Sequence, residues 1–284
     1  MDRRAFSAAL ALLPLCQTGC SSARLNAQES DVLAAWMRLA AATDERLVVW
    51  WMSGARYGVV EARSTLLYGM QVGIFQRFFP QADGSWKIAM FELTYYTDLT
   101  TGELLEEWDN PYTGETNRVK HVRLGPEIRL QTRTGQYADP DNAFVQKLLQ
   151  HYSATLGPMR IDGDTLSLPT SVEAVIRFPT PAVPDITLNH YTTVSGSARA
   201  ALDPGTVSAP AALNFQNIIR WEPWMEMGDH RGHLMSRAQG RKLETVDEMP
   251  EDYLSLARTV HPKLIADPLQ TLAKTVARIK GTET

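Results

Sequence analysis

Cysteine is scarce: the 284 residues contain two, Cys16 and Cys20, and none beyond. That excludes disulfides, a cysteine nucleophile, thiolate-bound zinc and iron–sulfur clusters from everything downstream. A basic excess is missing too, with 28 Lys and Arg against 32 Asp and Glu, a formal net charge of −4. Nucleic acid is therefore not expected as a partner, because a phosphate backbone calls for a basic face. After the first residues no run of about 18 apolar residues occurs, so no later segment reads as a spanning helix. Gly-x-x-x-x-Gly-Lys-Ser/Thr, Gly-x-Gly-x-x-Gly, Gly-x-Ser-x-Gly and His-Glu-x-x-His are all absent. Most kinases, nicotinamide oxidoreductases and serine hydrolases are set aside, and no cofactor is expected.

What is present is apolar enough to fold: 44% hydrophobic residues and seven Trp suffice for one large domain. The chain opens Met1-Asp2-Arg3-Arg4-Ala5-Phe6 and continues apolar to Leu15. Two arginines ahead of a short apolar run make a signal peptide over residues 1–19, and Arg3-Arg4-x-Phe6 resembles a twin-arginine export signal. Thr18-Gly19-Cys20 resembles a lipobox, with Gln17 where an aliphatic residue is usual. The expectation is an exported, periplasmic protein, with lipidation at Cys20 and attachment to a membrane surface set against simple cleavage after Ala23 or Ala27.

Residues 30–43 have helical spacing behind Ser30-Asp31. From Arg46 the texture turns to strands. Stretches 47–52, 66–79 and 86–96 read as long strands, the last two joined by an Asp83-Gly84 turn. Asp98-Leu99-Thr100-Thr101-Gly102-Glu103 is echoed by Asn110-Pro111-Tyr112-Thr113-Gly114-Glu115, each opening with a turn-forming Asp or Asn and closing on Gly. With 104–108 as the strand between, this predicts a three-strand meander. Strands continue over 119–133, 166–168, 174–178, 186–191, 193–199, 212–221 and 233–237. Residues 142–155 read as helical, and Pro179, Pro181 and Pro184 as an internal loop. Helical pattern returns from about 247, with starts at Pro250 and Asp267-Pro268. So many short-spaced strands predict one mainly β domain over 30–284: an antiparallel sheet closed into a lipocalin-like barrel with helices at both ends. The alternative is a two-sheet sandwich.

The turn pair also carries a resemblance. Glu92-x-x-Tyr95-Tyr96-x-Asp98-x-x-Thr101-Gly102-Glu103, then Trp108-x-Asn110-Pro111-Tyr112-Thr113-Gly114-Glu115 and His121, resembles the domain-of-unknown-function family numbered 1838. Trp221-x-Pro223-Trp224-x-x-Met227-Gly228, then Gly232, Gly240 and His261-Pro262, is similar to that family's second block. Leu124-Gly125-Pro126 departs from its pattern in the loop after the histidine. The resemblance implies a unified domain across about 30–265 and no particular activity.

Chemistry is expected where the meander meets His121. If the strands alternate, Glu92 and the Tyr95–Tyr96 region face that imidazole across the sheet, giving a carboxylate, an imidazole and tyrosines, Tyr95 first among them, for proton transfer. Burial would raise the Glu92 carboxyl toward neutrality. The alternative is a structural cross-strand pair. Trp108, Asn110, Tyr112, Trp221 and Trp224 are expected to wall a ligand pocket or pack as core, with Asn110 capping its own turn. Arg63 is a candidate carboxylate clamp, as is Arg220, against plain exposed charge. His230 and His233 could offer two imidazoles to a metal, but Arg231-Gly232 between them reads as a turn, and no metal is expected. Two functions remain open: a cofactor-independent acid–base enzyme (isomerase, cyclase, lyase or hydrolase) on a hydrophobic small molecule, and a non-catalytic carrier of a lipophilic ligand.

Overall fold

Alternation of apolar and polar residues runs through most of the chain, and a computed structural model turns it into one wall of long antiparallel strands. It describes residues 29–179 and 185–282. The expected export signal, with Cys20, and Pro181 and Pro184 lie outside the described residues.

Helix α1 (Glu29–Ala40) comes first, followed by β1 (Val48–Val60), β2 (Arg63–Pro80) and β3 (Trp86–Thr97). Strands β4 (Glu107–Asp109), β5 (Thr116–Arg118), β6 (Val122–Gln131) and β7 (Gln136–Ala138) precede α2 (Ala143–Leu148). Then come β8 (Leu149–Leu156), β9 (Arg160–Asp162), β10 (Thr165–Ile176), β11 (Ile186–Ser197), α3 (Ala198–Leu202), β12 (Ala211–Ile219) and β13 (His233–Leu243). Helices α4 (Glu251–Val260), α5 (Pro262–Ala266) and α6 (Pro268–Lys280) finish the chain.

The sheet runs β7-β6-β3-β2-β1-β13-β12-β11-β10-β8, every pair antiparallel, with β9 beside the start of β10. Its two ends nearly meet. The Tyr152 hydroxyl of β8 donates to the Gln136 carbonyl of β7 at 2.8 Å, and the Tyr137 and Tyr152 rings lie 5.6 Å apart. The fold is thus a nearly closed antiparallel barrel with an N-terminal helix and C-terminal helices.

Each strand has two faces. Inward positions such as Trp50, Met52, Tyr68, Met70, Met90, Leu168 and Leu213 join one core, together with Leu33, Trp36 and Leu39 of α1, which plug one end. Outward positions of the first three strands, Val49, Phe75, Phe91, Leu93 and Tyr95, form a second core with Tyr253, Leu254 and Leu272 of the C-terminal helices. Phe75 and Phe91 stack at 4.5 Å, and Gly73 leaves room for Tyr253, whose hydroxyl would lie 2.1 Å from a Cβ built there.

The echoed turns are congruent. The Gly102 amide donates to the Asp98 carbonyl and the Gly114 amide to the Asn110 carbonyl, both glycines at positive φ (74° and 77°). The predicted meander is nevertheless corrected. β4 and β5 pair only with each other, and β3 pairs with β6; a single Thr97–Leu104 bridge ties the ribbon to the wall. Residues 142–155 are a six-residue helix and then β8, because Phe144 is left 66% exposed while β8 gains a ladder with β10. Two expected strand pairs merge into β10 and β11. Pro169 is tolerated within β10 because it falls between the stretches paired with β9 and with β8, where that side of the ladder is interrupted.

Candidate functional site

The end of the barrel opposite α1 is covered by the β4–β5 ribbon and by residues 220–232, which contain a short 3-10 turn at Pro223–Met225. The residues of both motif blocks converge there. Trp108 packs edge-on against Tyr68 and Trp224, with ring centres 5.7 and 5.9 Å away, and Tyr68 lies 5.0 Å from Tyr96. Tyr112 meets Trp221 at 5.2 Å. Gly58 makes that seat possible, since a Cβ there would stand 2.2 Å from the Tyr112 hydroxyl and 2.9 Å from the Trp221 ring. Asn110 caps its own turn by accepting from the Tyr112 amide at 3.0 Å. Its amide also donates to the Met225 carbonyl at 2.9 Å, riveting ribbon to loop. Trp108 and Trp224 are buried, and Tyr112 and Trp221 half-buried.

Beneath this aromatic cover lies a buried ionic cluster. The Arg56 side chain is 6% exposed, and its Nη2 donates to Glu222 Oε1 at 3.1 Å and to the Tyr96 hydroxyl at 3.0 Å. Tyr96 in turn donates to Glu222 Oε1 at 2.6 Å, and the Trp224 indole N–H donates to Oε2. Burial opposes the charge on Arg56, but the Tyr96 and Glu222 oxygens beside it outweigh that and hold the guanidinium above its ordinary range. Burial pushes the Tyr96 and Tyr68 hydroxyls up, so both stay protonated. Arg56 Nε and Nη1 and the Tyr68 hydroxyl are buried without a hydrogen-bond partner.

Deeper in, the interior is not sealed. Glu92, Arg129, Tyr152, His190 and Phe215, all on inward positions, keep some accessible surface. Desolvation nevertheless dominates Glu92 and His190, raising the carboxyl and lowering the imidazole to about 4. These side chains face the barrel interior, its lumen, from β3, β6, β8, β11 and β12. Strand register puts both titratable groups on the inward face, Glu92 on β3 and His190 on β11. Glu92 accepts from Thr94 Oγ1 at 2.9 Å and has no ion-pair partner among the described residues. Arg129 is held by Glu127 at 2.7 Å and by Gln136 at 3.2 Å.

The three expected catalytic residues part company. Glu92 opens to the lumen, whereas Tyr95 points outward and is fully buried against the C-terminal helices. His121 just precedes β6 and accepts from the Tyr96 amide through Nδ1 at 3.2 Å. The Tyr95 hydroxyl lies 3.0 Å from Nδ1 of His261, at the α4–α5 junction. Burial lowers both imidazoles, and His261 lowers His121 further. His121 lies between Tyr95 and Tyr96, with ring centres 5.9 and 6.0 Å away, and its hydrogen bond comes from the Tyr96 amide. Arg63 is exposed at the β1–β2 hairpin, away from the lumen, and Arg220 donates to the Asp185 carbonyl at 2.7 Å. His230 is exposed in the loop, and His233 begins β13. No group of three or more metal-ligating side chains occurs among the described residues, and none of their helices is long and apolar enough to cross a membrane.

Arg56, Tyr68, Glu222, His190 and His261 escaped the sequence reading as site residues. Glu222 carried the clearest signal: a carboxylate set between Trp221 and Pro223-Trp224, where a surface acid has no reason to be.

No curated protein matches this chain. A solved N-terminal dehydratase from the difficidin assembly line aligns over 79% of this chain and 86% of its own, at 8% identity. Its TM-score is 0.14, and nothing is carried over from it. A family model described as "Protein of unknown function (DUF1838)" matches residues 44–158 and 190–276, well over half of the sequence. Those two spans hold Arg56, Glu92, Tyr96, His121, His190, Glu222 and Trp224, and the chain belongs to the DUF1838 family.

Proposed function

We propose that this protein is a cofactor-independent enzyme that moves a proton on a small, mainly apolar molecule held in the barrel lumen. Glu92 is the transferring group. The observation that carries this is an inward-facing carboxyl that keeps some accessible surface and has no ion-pair partner among the described residues, with burial raising it. A carboxyl held above its ordinary range exchanges its proton closer to neutrality than a free one, which favours a general acid or base. His190, kept neutral, supplies a hydrogen-bonding wall, and Arg56 with Tyr96 fixes the lid side of the lumen. Tyr95, His121 and His261 orient the β3 end from outside. The proposed setting is the periplasm, with attachment at Cys20, and it rests on the sequence of residues 1–28 alone.

A second reading, a non-catalytic carrier, is favoured by the closed hydrogen bonding of Glu222 with Arg56, Tyr96 and Trp224, which leaves Glu92 as the one expected catalytic group in the lumen. The test incubates wild type and Glu92→Gln with small-molecule extract of the source cells and follows it by mass spectrometry. An enzyme depletes one compound by many equivalents, and Glu92→Gln retains that compound but does not consume it. Stoichiometric retention by both proteins establishes the carrier, and no retention by either overturns both readings.

A further inference from the structure

The sheet carries a second feature on its outer face, away from the lumen. Across β11, β12, β13 and β1, lateral to the C-terminal helices, lies a groove of about 490 Å³. Strand register sets its lining in two rows. Tyr191, Gln216 and Arg237 stand opposite one another, and Thr193, Asn214 and Gln239 form the next row. The rows reach β1 at Ala55 and Ser53, and Tyr57 rises at the side. Strands about 4.8 Å apart make each row about 14 Å long, the reach of a short run of linked sugar rings.

The chemistry of this face is unusual for exposed sheet. Such faces are ordinarily solubilised by Lys and Glu. This groove has no carboxylate and no lysine, and its one cation is Arg237. Among the described residues, the six row side chains make one side-chain hydrogen bond, from Gln216 Nε2 to the Met235 sulfur at 3.5 Å. The amides of Asn214 and Gln239, a guanidinium, a hydroxyl and a phenol are therefore unengaged, and Tyr191 is 48% exposed. Amides and hydroxyls each donate and accept, which matches adjacent sugar hydroxyls. A tyrosine ring offers a flat apolar surface to the C–H face of a sugar, with its own hydroxyl at the rim. An added peptide strand has no foothold, since all four strands are paired on both sides.

We propose that this groove binds a short oligosaccharide laid along the two rows, with Tyr191 as its stacking platform. The test titrates the full chain with maltohexaose, cellohexaose and chitohexaose by calorimetry. At least one should bind saturably, and Tyr191→Ala and Asn214→Ala should each weaken it by about tenfold or more. Both side chains are exposed, so unchanged thermal melting certifies that the variants fold. Absence of saturable binding to all three probes overturns the proposal, as does binding that survives both substitutions together. Self-association in sedimentation that the same substitutions abolish would overturn it in favour of a second copy of this chain.

Discussion

The two ends of the barrel are closed by different means. At the plug end, α1 lays Leu33, Trp36 and Leu39 against the inward side chains, with Trp36 edge-on to Phe78 at 6.2 Å. Its last carbonyls are taken up by side chains of the wall. Lys242 donates to the Arg38 and Ala41 carbonyls at 2.9 and 3.0 Å, and the Trp50 indole to the Ala40 carbonyl at 3.0 Å, satisfying the groups that every helix leaves open at its C-terminus. At the lid end, a guanidinium and a carboxylate are buried together under three tryptophans and three tyrosines. Hydrocarbon would have closed that end with less penalty, because desolvating each ion costs several kcal/mol. The pair of Arg56 and Glu222 therefore sets the lid end apart from the plug end by its chemistry, and it stands at the mouth of the barrel interior.

The largest test of this contrast removes one partner of the ion pair. Glu222→Ala strands Arg56 and should lower unfolding stability by about 3–5 kcal/mol in denaturant titration. Arg56→Met with Glu222→Leu should restore most of that loss while disturbing whatever the lumen does. Recovery of neither would mean that the lid end is structural after all. Next in size, Leu39→Ala at the plug end should cost about 3 kcal/mol and leave ligand retention unchanged. A change in retention would erase the distinction between the ends. Gly73→Ala probes a region belonging to neither. The added methyl meets a buried, hydrogen-bonded Tyr253 and should cost about 1–3 kcal/mol by the same titration, without effect on the lumen.

The smallest effect has the opposite sign. Because burial raises Glu92, the unfolded chain gives up this proton first as pH rises. Stability from this site is therefore full below the ordinary carboxyl range and declines as pH climbs toward the raised value. Glu92→Gln escapes that decline. It should melt above wild type near neutrality and no higher in acid, by calorimetry at both pH values. A gain that persists in acid would assign the effect to packing.

Much of the architecture was legible because its rules are local. Asp83-Gly84, Thr101-Gly102 and Thr113-Gly114 demand turns by their chemistry, and alternation marks a half-buried strand wherever it occurs. What local rules could not give is partnership. Nothing in the Asp98–Glu115 echo says that the ribbon will pair with itself and leave β6 to β3. Arg56 sits among Ser53, Gly54, Ala55 and Gly58 and looks like a surface charge until Glu222, 166 residues later, comes beside it. Glu92 and His121 take different hydrogen-bond partners for a related reason. Residues on one strand alternate, and a one-residue difference in parity sends Glu92 toward the lumen while Tyr95, with His121 beside it, is turned to the helices.

Every neighbouring pair along the ten-strand path is held by a ladder, yet the junction of β7 with β8 has none. A phenol, a backbone bond from Leu156 to Thr134 and two facing rings span it instead. A wall with such a seam can change its girth there without surrendering a paired strand. The girth of the interior is thus fixed by backbone ladders everywhere along the path except at that one joint.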